Sequence, residues 1–152
     1  MRSLTWWDNW FIKLAEHIST ASKDPSTQCG AVIVRPDKTI CSMGYNGFPR
    51  GMADTEERLN NREDKYSRVI HAEVNAILSS RENLKGYTIY TWPFLTCDRC
   101  STVVIQAGIT RVVSMTPTEN QLLRWGKSFS LAKSYYEEAG IMVDEYEKML
   151  YM

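Results

Sequence analysis

Apolar residues recur at helical spacing near the start of the chain, where Trp6, Trp7, Trp10, Phe11, Leu14, Ala15 and Ile18 mark one face and Asp8 complements a helix N-terminus. The spacing predicts a packed first helix from Trp6 to Ser19, with its aromatic stripe in the core. The period then changes. Cys29 to Arg35 is an almost unbroken apolar run, Pro36-Asp37-Lys38 is a turn, and Thr39 to Tyr45 is a second extended run, so this stretch predicts an antiparallel hairpin. From Asn46 to Arg68 the chain carries Gly, Pro, Asn and ten charged side chains with little periodicity. A segment of that length in a compact domain predicts a functional loop or an insertion.

Helical spacing returns from His71 to Ser79, and Gly86 punctuates the passage into a strand at Tyr87 to Thr91. A helix from Asp98 to Ala107 stops at Gly108. A strand at Arg111 to Met115 follows, then a helix from about Lys127 to Ala139 that ends at Gly140 before Ile141 to Val143. The order is αββαβαβαβ. Helices between the later strands imply right-handed crossovers, and therefore a three-layer α/β/α fold around a mixed, largely parallel five-stranded sheet, with the hairpin as its antiparallel part. A chain of 152 residues, 43% hydrophobic, holds one sizeable core, so residues 1–152 are expected to form a single domain.

Charge narrows the partners. Eighteen Lys and Arg balance eighteen Asp and Glu, and no basic run marks a nucleic-acid or membrane surface, so a small-molecule substrate is favoured over a polymer. Four cysteines, two of them in Cys-x-x-Cys spacing, point to thiol or metal chemistry in a reducing compartment. The N-terminus lacks the apolar core of a secretory signal and no stretch approaches about 18 uninterrupted apolar residues, so the expected location is cytoplasmic.

The chemistry concentrates in His71-Ala72-Glu73 and, 24 residues after the Glu, Cys97-Asp98-Arg99-Cys100. His71, Cys97 and Cys100 supply three zinc ligands, and three protein ligands leave a coordination position for water. Cys97 and Cys100, at i and i+3 in the first turn of a helix, can turn both sulfurs to one ion while free backbone N–H groups stabilise the thiolates. Glu73 lies two residues after His71, on another side of its helix. It is better placed as the general acid and base than as a ligand. Two thiolates cancel the metal's charge, so its water is acidified less than at a three-His site and a nearby base matters more. A closed structural site would need Cys29 or Cys41, and both lie in apolar strand runs where a small buried thiol is the ordinary reading. His-x-Glu with a later Pro-Cys-x-x-Cys is the signature of zinc-dependent nucleobase deaminases; here Thr96 stands in place of that Pro.

From about Asp24 to Val143 the chain resembles the deoxycytidylate deaminases of the cytidine-deaminase superfamily. The likeness is carried by His71-Ala72-Glu73-Val74-Asn75-Ala76-Ile77, by Asp24 to Ala31, by Gly44-Tyr45-Asn46-Gly47-Phe48-Pro49-Arg50-Gly51 and by Lys65-Tyr66. The resemblance implies hydrolysis of dCMP to dUMP and ammonia, one catalytic Zn2+ per chain, Asn46 against the substrate sugar, and Ala72, Ser26, Thr27 and Tyr66 among the substrate-binding residues. It further implies a regulatory nucleotide site at Tyr45, Asn46, Gly47, Arg50 and Gly51, taking dCTP as activator and dTTP as inhibitor, and a homo-oligomer, usually a hexamer. Asp54, Glu56 and Glu57 would repel a bare triphosphate, so Mg2+ is expected with it. The insertion from Asn46 to Ile70 has neither Cys nor His, so no second zinc is expected there. The rival readings are a deaminase of another nucleobase, nucleoside or nucleic acid, and a non-catalytic zinc-stabilised nucleotide sensor.

Overall fold

The computed structural model describes residues 1–147. Ser3 caps α1 (Leu4–Ser19), its hydroxyl accepting from the Trp6 N–H at 3.1 Å. The hairpin forms from β1 (Gly30–Val34) and β2 (Ile40–Tyr45), with Gly30 opposite Tyr45. After the insertion come α4 (Ala72–Ser79), β3 (Thr88–Trp92), α5 (Asp98–Gln106), β4 (Arg111–Met115), α6 (Glu119–Ala139) and β5 (Met142–Tyr146). The insertion itself contains α2 (Glu56–Asn60) and α3 (Arg62–Arg68).

The sheet order is β2-β1-β3-β4-β5. β1 is antiparallel to both β2 and β3, while β3, β4 and β5 run parallel, so the sheet is mixed and its parallel half carries the crossover helices. Alternation along the strands sends Ala31, Ile33, Ile89 and Val112 to one face and Val32, Val34, Tyr90 and Val113 to the other. Helices α4, α5 and α6 cover the first face with Ala72, Ala76, Val104, Phe129 and Ala132; α1 covers the second with Phe11, Ile12, Ala15 and Ile18. Covered from both sides, β1 is buried at all five positions.

Two glycines set how closely the layers approach. A Cβ at Gly30 would lie 2.1 Å from the Ala15 carbonyl oxygen of α1, and one at Gly44 would lie 2.4 Å from the Ala76 nitrogen of α4. Only hydrogen fits at either point, so β1 sits directly on α1 and β2 on α4.

Three local features depart from expectation. The polar insertion folds into two short helices because Thr55 and Asn61 each cap one, accepting from the backbone N–H of Arg58 and Asp64. α6 begins eight residues before Lys127, where Thr118 and Gln121 form a capping box and the helix continues through Gly126. The aromatic stripe of α1 is divided: Phe11 is buried and Trp7 packs on the core, whereas Trp10 remains 39% exposed.

A buried ion pair ties α1 to the parallel half of the sheet. Asp8, fully buried, accepts from Arg111 Nη1 at 2.9 Å and Nη2 at 2.6 Å, and from the hydroxyls of Tyr90 and Tyr146 at 2.7 Å each. Burial raises the Asp8 pKa, but the hydrogen bonds from Arg111, Tyr146 and Tyr90 outweigh it, and the net shift is downward. Arg111→Ala leaves that carboxylate buried and unpaired and is expected to cost about 3–5 kcal/mol, read from denaturant unfolding. Because the folded pKa lies below the ordinary 3.8, the stability Asp8 contributes is complete above 3.8 and is lost as pH falls through the folded value. An Asp8→Asn variant is therefore expected to show a weaker dependence of Tm on pH in that acid window than the parent chain.

Candidate active site

Strand β3 runs between α4 and α5, so α4 begins and α5 begins at the same end of the sheet, beyond the carboxyl end of β3. His71 occupies the N-cap position of α4 with its side chain free of capping, and Cys97 occupies that of α5, its sulfur accepting from the Cys100 N–H at 3.3 Å. The approach to His71 is pinned by a two-hydrogen-bond bridge: Gly47 N–H donates to the Ile70 carbonyl at 3.1 Å and Ile70 N–H returns to Gly47 at 2.8 Å. Asn75 adds a third tie, donating to the Tyr45 carbonyl at 2.8 Å.

The result is a compact donor cluster. His71 Nδ1 lies 3.1 Å from Cys100 Sγ and 3.5 Å from Cys97 Sγ, and all three ligand atoms fall within 4.8 Å of one another. Zinc bound at about 2.3 Å from sulfur and about 2.0 Å from nitrogen in a tetrahedron separates an N–S pair by about 3.5 Å, so these residues fit the metal in both type and spacing. Among the described residues no fourth His, Cys, Asp or Glu joins the group. Among the protein groups alone, the Cys97 thiol is pushed well down by a hydrogen bond from Cys100 and further by His71, while Cys100 is pushed up by its bond to Cys97 and by burial. The two sulfurs thus share a proton between them, and any proton the pair holds must leave when metal binds.

Glu73 is 6% exposed and lies against the Cys100 sulfur without belonging to the ligand group. Burial raises its pKa, and the negative charge at Cys97 adds to that while His71 opposes it. A desolvated carboxyl of this kind holds a proton more readily than an exposed one and can both accept and return it.

His71, Glu73 and Cys97 line a cavity of about 470 Å³, in which His71 is exposed and Glu73 buried; Cys100 is buried beside them. Of the residues singled out from sequence, His71, Ala72, Glu73, Cys97, Asn46, Ser26, Thr27 and Tyr66 all line the cavity. Asn46 has a second task, accepting from the Cys29 N–H at 2.8 Å and donating to the Thr27 carbonyl at 2.9 Å, which holds the turn carrying Ser26 and Thr27. Asp24 completes that turn, accepting from Ser26 N–H at 2.8 Å and from Lys65 Nζ at 3.2 Å. Tyr45 and Gly47 border a smaller, adjoining cavity of about 180 Å³ that also touches Lys23 and Asp54 and shares Asn46, Asp24 and Lys65 with the larger one. Arg50 and Gly51 line neither.

The opposite wall was not read from sequence. Phe94 packs in a tilted arrangement against Trp125 at 4.9 Å and Phe129 at 5.3 Å between centroids, and Arg99 and Arg124 line the cavity as well. Trp125 and Arg124 precede the expected start of the last helix, and the Thr118 to Gln121 capping box is the sequence signal that places them on it. Thr96 faces away from the cavity. Its hydroxyl and that of Tyr136 are 2.6 Å apart, both side chains buried, so the departure from Pro is absorbed against α6 while Phe94 and Leu95 face the site.

Comparison with known proteins bears on this geometry. Residues 5–116 match the cytidine and deoxycytidylate deaminase zinc-binding region. The chain is 39% identical over 137 residues to the uncharacterized deaminase in luxG 3'region of Aliivibrio fischeri, covering 90% of this chain and 91% of that one. It is also 39% identical over 118 residues to the deoxycytidylate deaminase of Mus musculus, where the match spans 72% of this chain but only 65% of the longer mouse protein. The fold is shared with the dCMP deaminase of cyanophage S-TIM5, solved in complex with dCMP and dUMP, at a TM-score of 0.72 and 23% identity over 95% of this chain and 99% of that one.

Purified protein is expected to contain about one zinc per chain, with His71→Ala, Cys97→Ala and Cys100→Ala each losing it by elemental analysis. Because zinc binds thiolates, any proton held by the Cys97–Cys100 pair must leave on binding, and affinity is expected to fall as pH falls. Calorimetric titrations of zinc in buffers of different ionisation enthalpy measure that proton release directly.

Proposed function

This chain belongs to the cytidine and deoxycytidylate deaminase family of zinc-dependent hydrolases, and on that premise we propose that its reaction is the hydrolysis of dCMP to dUMP and ammonia. The observation that carries the reading is the placement of a buried carboxyl, Glu73, beside a three-residue zinc cluster at a cavity large enough for a nucleotide. His71, Cys97 and Cys100 would hold zinc, which would supply Lewis-acid activation of a water. Glu73 takes one proton of that water and delivers it to ring N3 as oxygen adds at C4, then takes the proton left on the C4 hydroxyl and passes it to the amino group as the C4–N bond breaks, leaving a C4 carbonyl and ammonia. The aromatic wall of Phe94, Trp125 and Phe129 offers the pyrimidine a stacking surface, and the burial of Glu73 keeps its proton from bulk water. Ser26, Thr27, Asn46, Ala72 and Tyr66 line the remaining side as substrate contacts.

The same reading takes residues 1–152 as one domain working in the cytoplasm on a small nucleotide, in a homo-oligomer, with no nucleic-acid or membrane partner. No helix among the described residues is long and apolar enough to cross a membrane. Regulation by dCTP and dTTP is part of the proposal. The cavity beside Tyr45, Asn46 and Gly47 holds about 180 Å³, below the roughly 300 Å³ at which small-molecule pockets begin, so a triphosphate seated there extends over the exposed Arg50 to Gly51 turn. Arg50 supplies a cation, and Mg2+ offsets the carboxylates of Asp54, Glu56 and Glu57.

Glu73→Gln preserves shape but cannot shuttle protons, and is expected to lower kcat on dCMP by about 10²–10⁴-fold with zinc retained. Near-parental turnover in that variant removes Glu73 from the mechanism; absence of dCMP turnover in the zinc-loaded parent removes the proposed substrate. For regulation, dCMP titrations with Mg2+ and either triphosphate are expected to separate, dCTP raising and dTTP lowering apparent affinity within the roughly 5–150-fold range of ordinary allosteric coupling. Superimposable curves contradict the regulatory site.

A further inference from the structure

Two guanidinium groups on the cavity wall have no acidic partner among the described residues. Arg99, between the two cysteine ligands, makes no ion pair among the described residues, and Arg124 of α6 is engaged only through stacking over the Trp125 ring, 4.2 Å from its centroid. Both are exposed and line the same cavity as His71, Cys97 and the buried Glu73, so their guanidinium groups meet solvent on the wall of the site itself. The remaining cation of the wall is already committed: Lys65, 7% exposed, is paired with Asp24 at 3.2 Å, and Asp24 is further held by the backbone of Ser26 and Thr27. Lys65 therefore organises the turn opposite, and its charge is neutralised before any ligand arrives.

We propose that Arg99 and Arg124 form the recognition site for the 5′-phosphate of the substrate, and so set a preference for a nucleoside monophosphate over the nucleoside or free base. This rests on the deaminase reading above and deepens it. A pyrimidine with its amino-bearing edge at the metal cluster and its face on Phe94, Trp125 and Phe129 extends its sugar and phosphate toward solvent, where the two guanidinium groups stand. Guanidinium is suited to this because its planar donors match phosphate oxygens two at a time and its charge persists at any working pH. Stacking of Arg124 on Trp125 also couples the two halves of recognition, since the ring that bounds the base site holds the cation that meets the phosphate.

The test is a charge-graded series, Arg124→Lys, Arg124→Ala and Arg124→Glu, with Arg99→Ala and the double alanine variant, each assayed on dCMP and deoxycytidine with zinc content measured. The ratio of kcat/KM for dCMP to that for deoxycytidine is expected to fall by about tenfold to a hundredfold for each alanine, as for loss of a hydrogen bond to a charged group, and to fall further in the double variant. Within the series the loss should grow from Lys to Ala to Glu. If Arg99→Ala also sheds zinc, the Arg124 series alone decides. A ratio unchanged across that series, or equal losses on both substrates, overturns the assignment. Calorimetric titration of dCMP into the same proteins separates the two readings: dCMP that binds in an arginine-dependent way without being deaminated keeps the phosphate site and rejects the reaction, whereas turnover that ignores the arginines does the reverse.

Discussion

His71 and Cys97 are 26 residues apart, and the site exists only because one strand brings their helices to a common end. α4 runs down one side of the sheet, β3 returns through its centre, and α5 starts where β3 stops. A ligand cluster spanning less than 4.8 Å therefore depends on the length and register of five residues of β3, paired antiparallel to β1 on one side and parallel to β4 on the other. Everything that fixes that strand fixes the metal geometry. The antiparallel pairing carries particular weight, since it ties β3 to the hairpin and, through Gly44, to the very helix that presents His71 and Glu73.

Rigidity around the site is distributed unevenly. The side holding Asn46, Asp24 and Lys65 is a closed network of hydrogen bonds in which each polar group has a partner, so that wall arrives preformed. The facing wall is aromatic and cationic, built from α5 and α6, with its arginines uncommitted to other protein charges. Such a division suits a small-molecule enzyme: a fixed polar frame beside the reacting atoms, apolar surface for the ring, and free charge where the ligand's own charge lies. The Asp8 to Arg111 cluster is remote from chemistry and joins α1, β3, β4 and β5 around one buried carboxylate, holding the layer that carries no reacting residues.

Much of this was legible in the chain itself, for identifiable reasons. The unbroken apolar run of β1 and the helical spacing of α1 announce a sheet covered on both faces, and ligand chemistry is so restrictive that His71, Cys97 and Cys100 stand out without coordinates. Glu73 was separable from the ligands by its two-residue offset from His71. What escaped is governed by weaker signals. The helices of the insertion are five and seven residues long and depend on single capping side chains, Thr55 and Asn61, which alter no hydrophobic period. The early start of α6 was hidden by Gly126 and a polar first turn, and with it went Arg124 and Trp125, whose importance follows from which wall α6 faces. Arg99 was in plain view inside the cysteine motif, but nothing in its spacing tells a cavity cation from an ordinary surface one.

The central claim is an open metal site: three protein ligands, with a position left for water beside Glu73. Zinc K-edge X-ray absorption on the loaded protein counts those ligands directly. The account predicts two sulfurs at about 2.3 Å and two lighter N/O scatterers at about 2.0–2.2 Å, one of them with the multiple-scattering pattern of imidazole. The thiol to watch is Cys29, which lines the same cavity and is pushed to a high pKa by burial. A third sulfur in the first coordination shell, abolished by Cys29→Ser, would make the site a closed structural one and contradict the catalytic reading.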